Sequence, residues 1–129
     1  MIKGFTEETA PLTDYEREHV LPAILGLFQS RVGSESAITN KGIIHALPPS
    51  LQVGEPRVRK VINHIRNNDL IPCLLASSKG YWIASSEAEV LAYEESLLGR
   101  EEAIRADRMA ISRQRMLVYG IPVQGVLFE

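Results

Sequence analysis

The stretch Glu55–Ile83 reads EPRVRKVINHIRNNDLIPCLLASSKGYWI, and it decides the fold. From Val58 to Ile65 the apolar residues recur at i, i+3, i+4 and i+7, which is the spacing of one buried helix face. Two short apolar or aromatic runs follow, separated by Ser77–Gly80, whose composition is typical of a hairpin turn. We therefore expect an amphipathic helix followed by a β-hairpin with Lys79 at its tip.

Two further helices are predicted before this stretch. A Thr-x-x-Glu capping box at Thr13 begins the first helix, which continues to about Gln29. Residues Glu35–Ile38 are expected to form a short extended piece. Thr39 or Asn40 is the expected N-cap of the second helix, and a Pro-Pro pair ends it.

A long helix is predicted after the hairpin. Ser86 and Glu89 form a second capping-box pattern, and the segment from Glu87 to about Met116 lacks proline and contains only Gly99. Apolar residues recur at every seventh position along it. This column could pair two copies of the chain or pack back on the first helix, and the pattern leaves both arrangements open. Its members are Val90, Leu97, Ile104, Ile111 and Val118.

The order of these elements predicts the fold class. Helix, short strand, helix, helix and hairpin is the winged helix-turn-helix arrangement, here in a mainly α (α+β) chain with a two-stranded β wing and a long C-terminal helix. We expect a flexible arm over residues 1–12, a winged-helix domain over 13–85, the long helix over 86–118 and a tail over 119–129.

One stretch resembles a known family. Val58–Ile83 contains VRKVINHIR, NDLI and SSKGYWI, and it resembles the winged-helix domain of the biotin-repressor type, in which a Val-x-Lys-x-Ile-x-x-Leu-Arg helix precedes a Lys-Gly-Tyr wing. It also resembles short winged-helix proteins of bacterial prophages. Two departures are the long segment Leu47–Glu55 and Asp69 in place of glycine. The resemblance covers about a fifth of the chain. It implies binding of double-stranded DNA by a transcriptional regulator of phage or chromosomal origin.

The charges are distributed unevenly along the chain. The formal net charge is −2, which argues against a protein that coats nucleic acid by bulk attraction. Residues 41–82 nevertheless contain six basic and two acidic residues, a net charge of +4, so the rest of the chain has −6. Clustered Lys and Arg residues supply non-specific DNA affinity, and a basic middle part is therefore consistent with a local phosphate-binding face.

Polar side chains occupy the predicted helix opposite its apolar face. Asparagine can pair with adenine, and lysine and arginine can contact guanine or phosphate, so this face suits the major groove. The alternative is an ordinary solvated helix surface. The base-facing candidates are Lys60, Asn63 and Asn67, the phosphate-contacting candidates are Arg57, Arg59 and Arg66, and His64 and the wing residue Lys79 are further candidates.

Enzymatic, metal-dependent and membrane functions are not expected. His19, His45 and His64 are scattered, and no phosphate-binding loop, nucleophile elbow or paired carboxylates occur, so we expect neither a cofactor nor a metal. The apolar runs are shorter than the ~20 residues of a membrane span, and no signal region precedes them, so a cytoplasmic location is expected. Cys73 lies in an apolar run and is expected to be buried rather than reactive.

Two alternative functions remain open. Gln124, Leu127 and Phe128 resemble the Gln-x-x-Leu-Phe peptide by which bacterial proteins dock on the sliding clamp, although Gly125 stands where leucine is commoner. That interpretation predicts a replication or recombination accessory protein, while a terminal strand or core plug would use the same residues. A winged helix can also serve protein contacts alone.

Overall fold

The computed structural model describes residues 9–120. Within this range the chain is mainly helical, with a two-stranded antiparallel sheet and a long C-terminal helix. The chain forms two compact units, Met1–Val90 and Leu91–Glu129. None of the helices in the described range is both long and apolar enough to span a membrane.

The first helix begins with the predicted capping box. The Thr13 backbone N donates to Glu16 Oε1 at 2.9 Å, and the Glu16 backbone N donates to Thr13 Oγ1 at 3.1 Å. A π-helical turn over Glu16–Val20 continues into α1, which covers Leu21–Leu27. Pro22 lies just after the π-helical turn, and because proline has no N–H to donate, a local change in the helical hydrogen-bond pattern is expected there.

The second helix, α2, covers Asn40–Ala46. Thr39 is its N-cap, since Thr39 Oγ1 accepts a hydrogen bond from the Gly42 backbone N at 3.0 Å. The expected extended piece Glu35–Ile38 is only partly correct. Residues Ser34–Ser36 form a 3₁₀ turn instead, and the extended part is limited to the residues around Ile38.

The third helix, α3, covers Glu55–Asn67. A 3₁₀ turn over Pro49–Leu51 separates it from α2, so the connection is longer than a tight helix-turn-helix turn. Asn68 is its C-cap, and the left-handed residue that reverses the chain is Asp69, with a φ of 58°. Aspartate tolerates this conformation better than most residues, which explains how the chain turns there without glycine.

The predicted hairpin consists of β1 over Leu74–Ser77 and β2 over Gly80–Ile83, joined by a two-residue turn. Ile38 adds a third extended segment, because its backbone N donates to the Tyr81 O at 3.0 Å and the Tyr81 N donates to the Ile38 O at 2.9 Å. The segment between α1 and α2 is therefore attached to β2.

The last helix, α4, covers Glu87–Tyr119. Ser86 Oγ accepts a hydrogen bond from the Glu89 backbone N at 3.2 Å, as the capping pattern predicts. The Glu89 carboxylate accepts from the Ser85 backbone N and, at 2.8 Å, from Trp82 Nε1. The start of α4 is therefore fixed to β2 within the first unit.

The core lies between the three short helices and the inner face of the hairpin. Leu12, expected in the flexible arm, is 6% exposed and packs into this core, so the body begins before Thr13. Cys73, expected to be buried, is exposed: β1 begins only at Leu74, and Pro72 and Cys73 form the preceding turn. The largest fully buried side chains are Phe28, Ile24, Ile43, Ile65, Val20, Val58 and Val61.

Candidate nucleic-acid interface

The buried side of α3 fixes the orientation of its polar side. Val58, Val61 and Ile65 have no exposed surface, and Ile62 is 3% exposed, which confirms the core face that the spacing predicts. A helix mounted on four buried residues cannot rotate about its axis without exposing them. The side chains opposite this face therefore have a defined direction.

Asn63 and Asn67 lie along the middle of the polar face. Asn67 Nδ2 donates to both the backbone O and the Oδ1 of Asn63, each at 3.0 Å. Asn67 is exposed, and Asn63 is half-buried. The Asn67 amide is thus held against Asn63, and its Nδ2 would have to leave Asn63 before the amide could form the two hydrogen bonds by which asparagine reads adenine.

Lys60 and Arg57 are both paired with the buried carboxylate of Glu16. Lys60 Nζ lies 2.8 Å from Glu16 Oε1, and Arg57 Nε lies 2.9 Å from Glu16 Oε2. The side chain of Lys60 is only 14% exposed, and that of Glu16 is 4% exposed. The predicted base-facing lysine therefore serves as an internal partner of the first helix in this structure.

Glu16 remains ionised because of these partners. Burial by itself raises the pKa of Glu16, but hydrogen bonds from Lys60, the Thr13 backbone and Arg57 outweigh burial and lower the pKa to about 2. Arg57 also donates to the Gln52 O at 3.0 Å, so Arg57 and Lys60 both have partners within the protein.

Arg59 and Arg66 lie on the other flank of α3. Arg59 Nη1 is 3.4 Å from Glu55 Oε1, a weak pair on the exposed surface. Arg66 Nη2 donates to the backbone O of Leu74 at 3.1 Å, which connects the end of α3 to the start of β1. This contact places the helix and the hairpin side by side.

The hairpin presents Lys79 at its turn, as expected from the sequence. Lys79 is exposed, and its backbone N donates to Ser77 Oγ at 3.0 Å, which orders the turn. Gly80 has a φ of 114°, and a Cβ on it would lie 2.3 Å from the Ile38 O. The turn therefore depends on a glycine that both adopts a left-handed conformation and allows the close approach of another segment.

His64 lies beside a groove on the surface of α3. Asn68 Nδ2 donates to the His64 backbone O at 2.9 Å and lies 3.4 Å from the ring Nδ1. The N-terminal residues Thr9, Ala10 and Pro11 line this groove together with Lys60, Asn63, His64, Asn67 and Asn68. Part of the predicted DNA face is thus bordered by the chain segment that precedes the first helix.

Sequence reasoning missed the role of Glu16 in this surface. The Thr-x-x-Glu pattern indicates its capping role, but the two ion pairs join residues more than forty positions apart. The only sequence signal is a carboxylate next to the apolar face of the first helix, which needs a cation if it is buried.

Of the two predicted protein-contact sites, the structure describes only the apolar column of α4. The α4 column is exposed after its first member: Leu97 is 44%, Ile104 68%, Ile111 63% and Val118 71% exposed, while Val90 is half-buried. The candidate clamp residues Gln124, Leu127 and Phe128 lie outside the described residues.

Comparisons with known proteins give no relative for this arrangement. No protein-family model matches the sequence, and neither a curated protein nor a solved structure matches the chain.

Proposed function

We propose that this protein is a winged helix-turn-helix protein that binds double-stranded DNA. The order of elements supports the fold assignment: two short helices precede α3, a two-stranded hairpin follows it, and Ile38 pairs with β2 where a winged helix has its first short strand. In such a fold, α3 enters the major groove and the hairpin contacts the adjacent backbone.

The observation that carries the proposal is the fixed polar face of α3 beside the hairpin. The buried residues set the direction of the face, and the hydrogen bond from Arg66 to the Leu74 O keeps the hairpin next to it. Preorganised donors on a rigid helix can match base edges and phosphates with little loss of entropy on binding.

The ion pairs of Glu16 change which residues we assign to DNA contacts. Arg57 and Lys60 would have to leave Glu16 before they could reach DNA. We therefore assign phosphate contacts to Arg59, Arg66 and Lys79 and base contacts to Asn63 and Asn67, while His64 borders the same surface. A regulator of phage or chromosomal genes is the role that fits a small DNA-binding chain of this kind.

Fluorescence anisotropy with labelled random duplex DNA tests this proposal. The wild-type chain should bind at low salt, and its affinity should fall about 10- to 100-fold for a fourfold rise in salt, as expected for roughly three phosphate contacts. The double variant Arg59→Ala/Lys79→Ala should bind at least about tenfold more weakly at low salt and show a shallower salt dependence.

The matched control is the double variant Arg105→Ala/Arg113→Ala. It removes the same charge from α4 and should keep affinity within about twofold of the wild-type value. Equal losses in both variants would mean that only bulk charge matters, which contradicts the assigned face. No binding by the wild-type chain at low salt would favour a winged helix that contacts proteins.

A further inference from the structure

The helix α4 has an exposed apolar column and no buried residue in its 33 positions. Ile104 and Ile111 are 68% and 63% exposed, and Val118 is 71% exposed. Five apolar residues at seven-residue intervals are typical of a helix that packs lengthwise on another helix. From Leu97 to Val118 the column therefore lacks a covering partner among the residues that the structure describes.

The charges of α4 are separated along its length. Residues 87–102 contain six acidic residues and one basic residue, a net charge of −5, whereas residues 103–119 contain four basic residues and one acidic residue, a net charge of +3. The acidic half of one helix would thus attract the basic half of another, whereas two acidic halves or two basic halves would repel each other.

A single row of charges beside the apolar column shows the same separation. This row lies four residues after each column member, about 40° around the helix. In order it contains Glu94, Glu101, Arg108 and Arg115. We call it the flanking row.

We propose that α4 pairs with α4 of a second copy of this chain in an antiparallel arrangement centred on Ile104. Two antiparallel helices related by a twofold axis place the same row of each helix face to face. With Ile104 opposite its own copy, Leu97 lies opposite Ile111 and Val90 opposite Val118. Every member of the column then has an apolar partner.

The flanking row becomes complementary in this register. Glu94 faces Arg115 of the second copy, and Glu101 faces Arg108, so the twofold axis generates four acidic–basic pairs. On the other side of the column, Arg100 faces Asp107 of the second copy. A parallel in-register pair would instead place the −5 halves together and the +3 halves together. The antiparallel arrangement is therefore favoured.

The mass of the full-length chain in solution is the first test. Light scattering after size exclusion should give twice the 14.4 kDa of one chain at micromolar to submillimolar concentrations. The variant Ile104→Asp should shift the chain to the monomer mass, with the melting of the first unit unchanged. A wild-type chain that stays monomeric over this range overturns the proposal.

Charge reversal tests whether the flanking row faces the second copy. The all-basic row Glu94→Arg/Glu101→Arg and the all-acidic row Arg108→Glu/Arg115→Glu should each be monomeric alone, and an equimolar mixture should recover the dimer mass. The control Glu95→Arg/Glu102→Arg makes the same charge change about 140° from the column and should remain dimeric. If the all-basic variant or the all-acidic variant formed dimers by itself, the proposed pairs of the flanking row would be wrong.

Cross-linking tests the orientation. In a Cys73→Ser background, Glu94→Cys chains mixed with Arg115→Cys chains should join through a short bis-maleimide. Glu94→Cys chains alone should not, because their two copies would lie about 30 Å apart along the helix axis. Efficient cross-linking of Glu94→Cys to itself would establish a parallel pair and overturn the proposal.

Discussion

Glu16 connects the first helix to α3 through two ion pairs. Its carboxylate is almost completely buried and receives Lys60 on one oxygen and Arg57 on the other. Loss of Glu16 would leave Lys60 without its anionic partner in a poorly solvated place, and such an unpaired buried charge is costly.

Replacing Glu16 with glutamine should destabilise the fold. Glu16→Gln keeps the shape but leaves Lys60 without its anionic partner, and we expect a loss of about 3 kcal/mol in the free energy of unfolding. Urea denaturation followed by circular dichroism measures this loss. The control Glu18→Gln changes an exposed carboxylate on the same helix and should remain within about 0.5 kcal/mol of wild type.

The same carboxylate predicts an acid-sensitive fold. The pKa of Glu16 is about 2 in the folded chain against an ordinary value of 4.5, so its stabilising effect is fully present above pH 4.5 and is lost as the pH falls towards 2. The pKa difference corresponds to roughly 3 kcal/mol. Urea titrations across this pH window should show a smaller decline for Glu16→Gln than for wild type, and parallel declines would disprove the assignment.

Gly80 is the residue on which the hairpin most depends. Gly80→Ala would place a Cβ 2.3 Å from the Ile38 O and impose a φ of 114° on an L-residue. We expect a loss of about 2 kcal/mol or more, measured as a lower melting temperature. Gly26→Ala is the control, since no atom lies within 4 Å of the added Cβ, and it should melt within a few degrees of wild type.

Local residue patterns could be predicted from sequence, whereas long-range residue contacts could not. The Thr13–Glu16 capping box was predicted because both of its hydrogen bonds join residues three positions apart. The Glu16 ion pairs depend on how two helices pack. The exposure of Cys73 depends on where the strand begins, which an apolar run does not specify.

The start of α4 is attached to the hairpin through Trp82. Trp82 is 7% exposed, and its Nε1 donates to Glu89 Oε2 at 2.8 Å. Two hydrogen bonds lower the pKa of Glu89: the one from the Ser85 backbone has the larger effect, and the one from Trp82 has the smaller effect. The Glu89 carboxylate therefore accepts one hydrogen bond at the start of α4 and another from β2.

Removing this acceptor should be visible in the fluorescence of the chain, which has one tryptophan. Glu89→Ala should shift the Trp82 emission to longer wavelength, because water gains access to an indole that has lost its partner. Glu87→Ala alters the same first turn without a bond to Trp82 and should leave the emission unchanged. An unshifted spectrum in Glu89→Ala would show that the indole does not depend on Glu89.

The elements with regular periodicity were predicted well. The buried face of α3 follows the spacing from Val58 to Ile65, and the N-cap of α2 follows from Thr39. The 3₁₀ turn over Ser34–Ser36 was not predicted, because such short turns have no periodic signal. The pairing of Ile38 with Tyr81 joins distant parts of the chain and could be expected only from the fold as a whole.

The charge of the whole molecule is less informative than its distribution. A net charge of −2 coexists with a basic stretch over residues 41–82 and with a helix of opposite charges at its two ends. The first pattern supports a DNA-binding face and the second supports self-association. The charge sums follow from sequence, but only the structure shows that Arg57 and Lys60 are paired with Glu16.

Chemical-shift mapping of the full-length, isotope-labelled chain with a short DNA duplex tests the central claim most directly. We expect the largest changes at the backbone amides of Arg59, Asn63, Arg66, Asn67 and Lys79, and the changes should diminish when salt is raised. The amides around Phe28 in the core should stay unchanged. Changes confined to other surfaces, or no changes at low salt, would contradict the claim that α3 and the hairpin form a DNA-binding face.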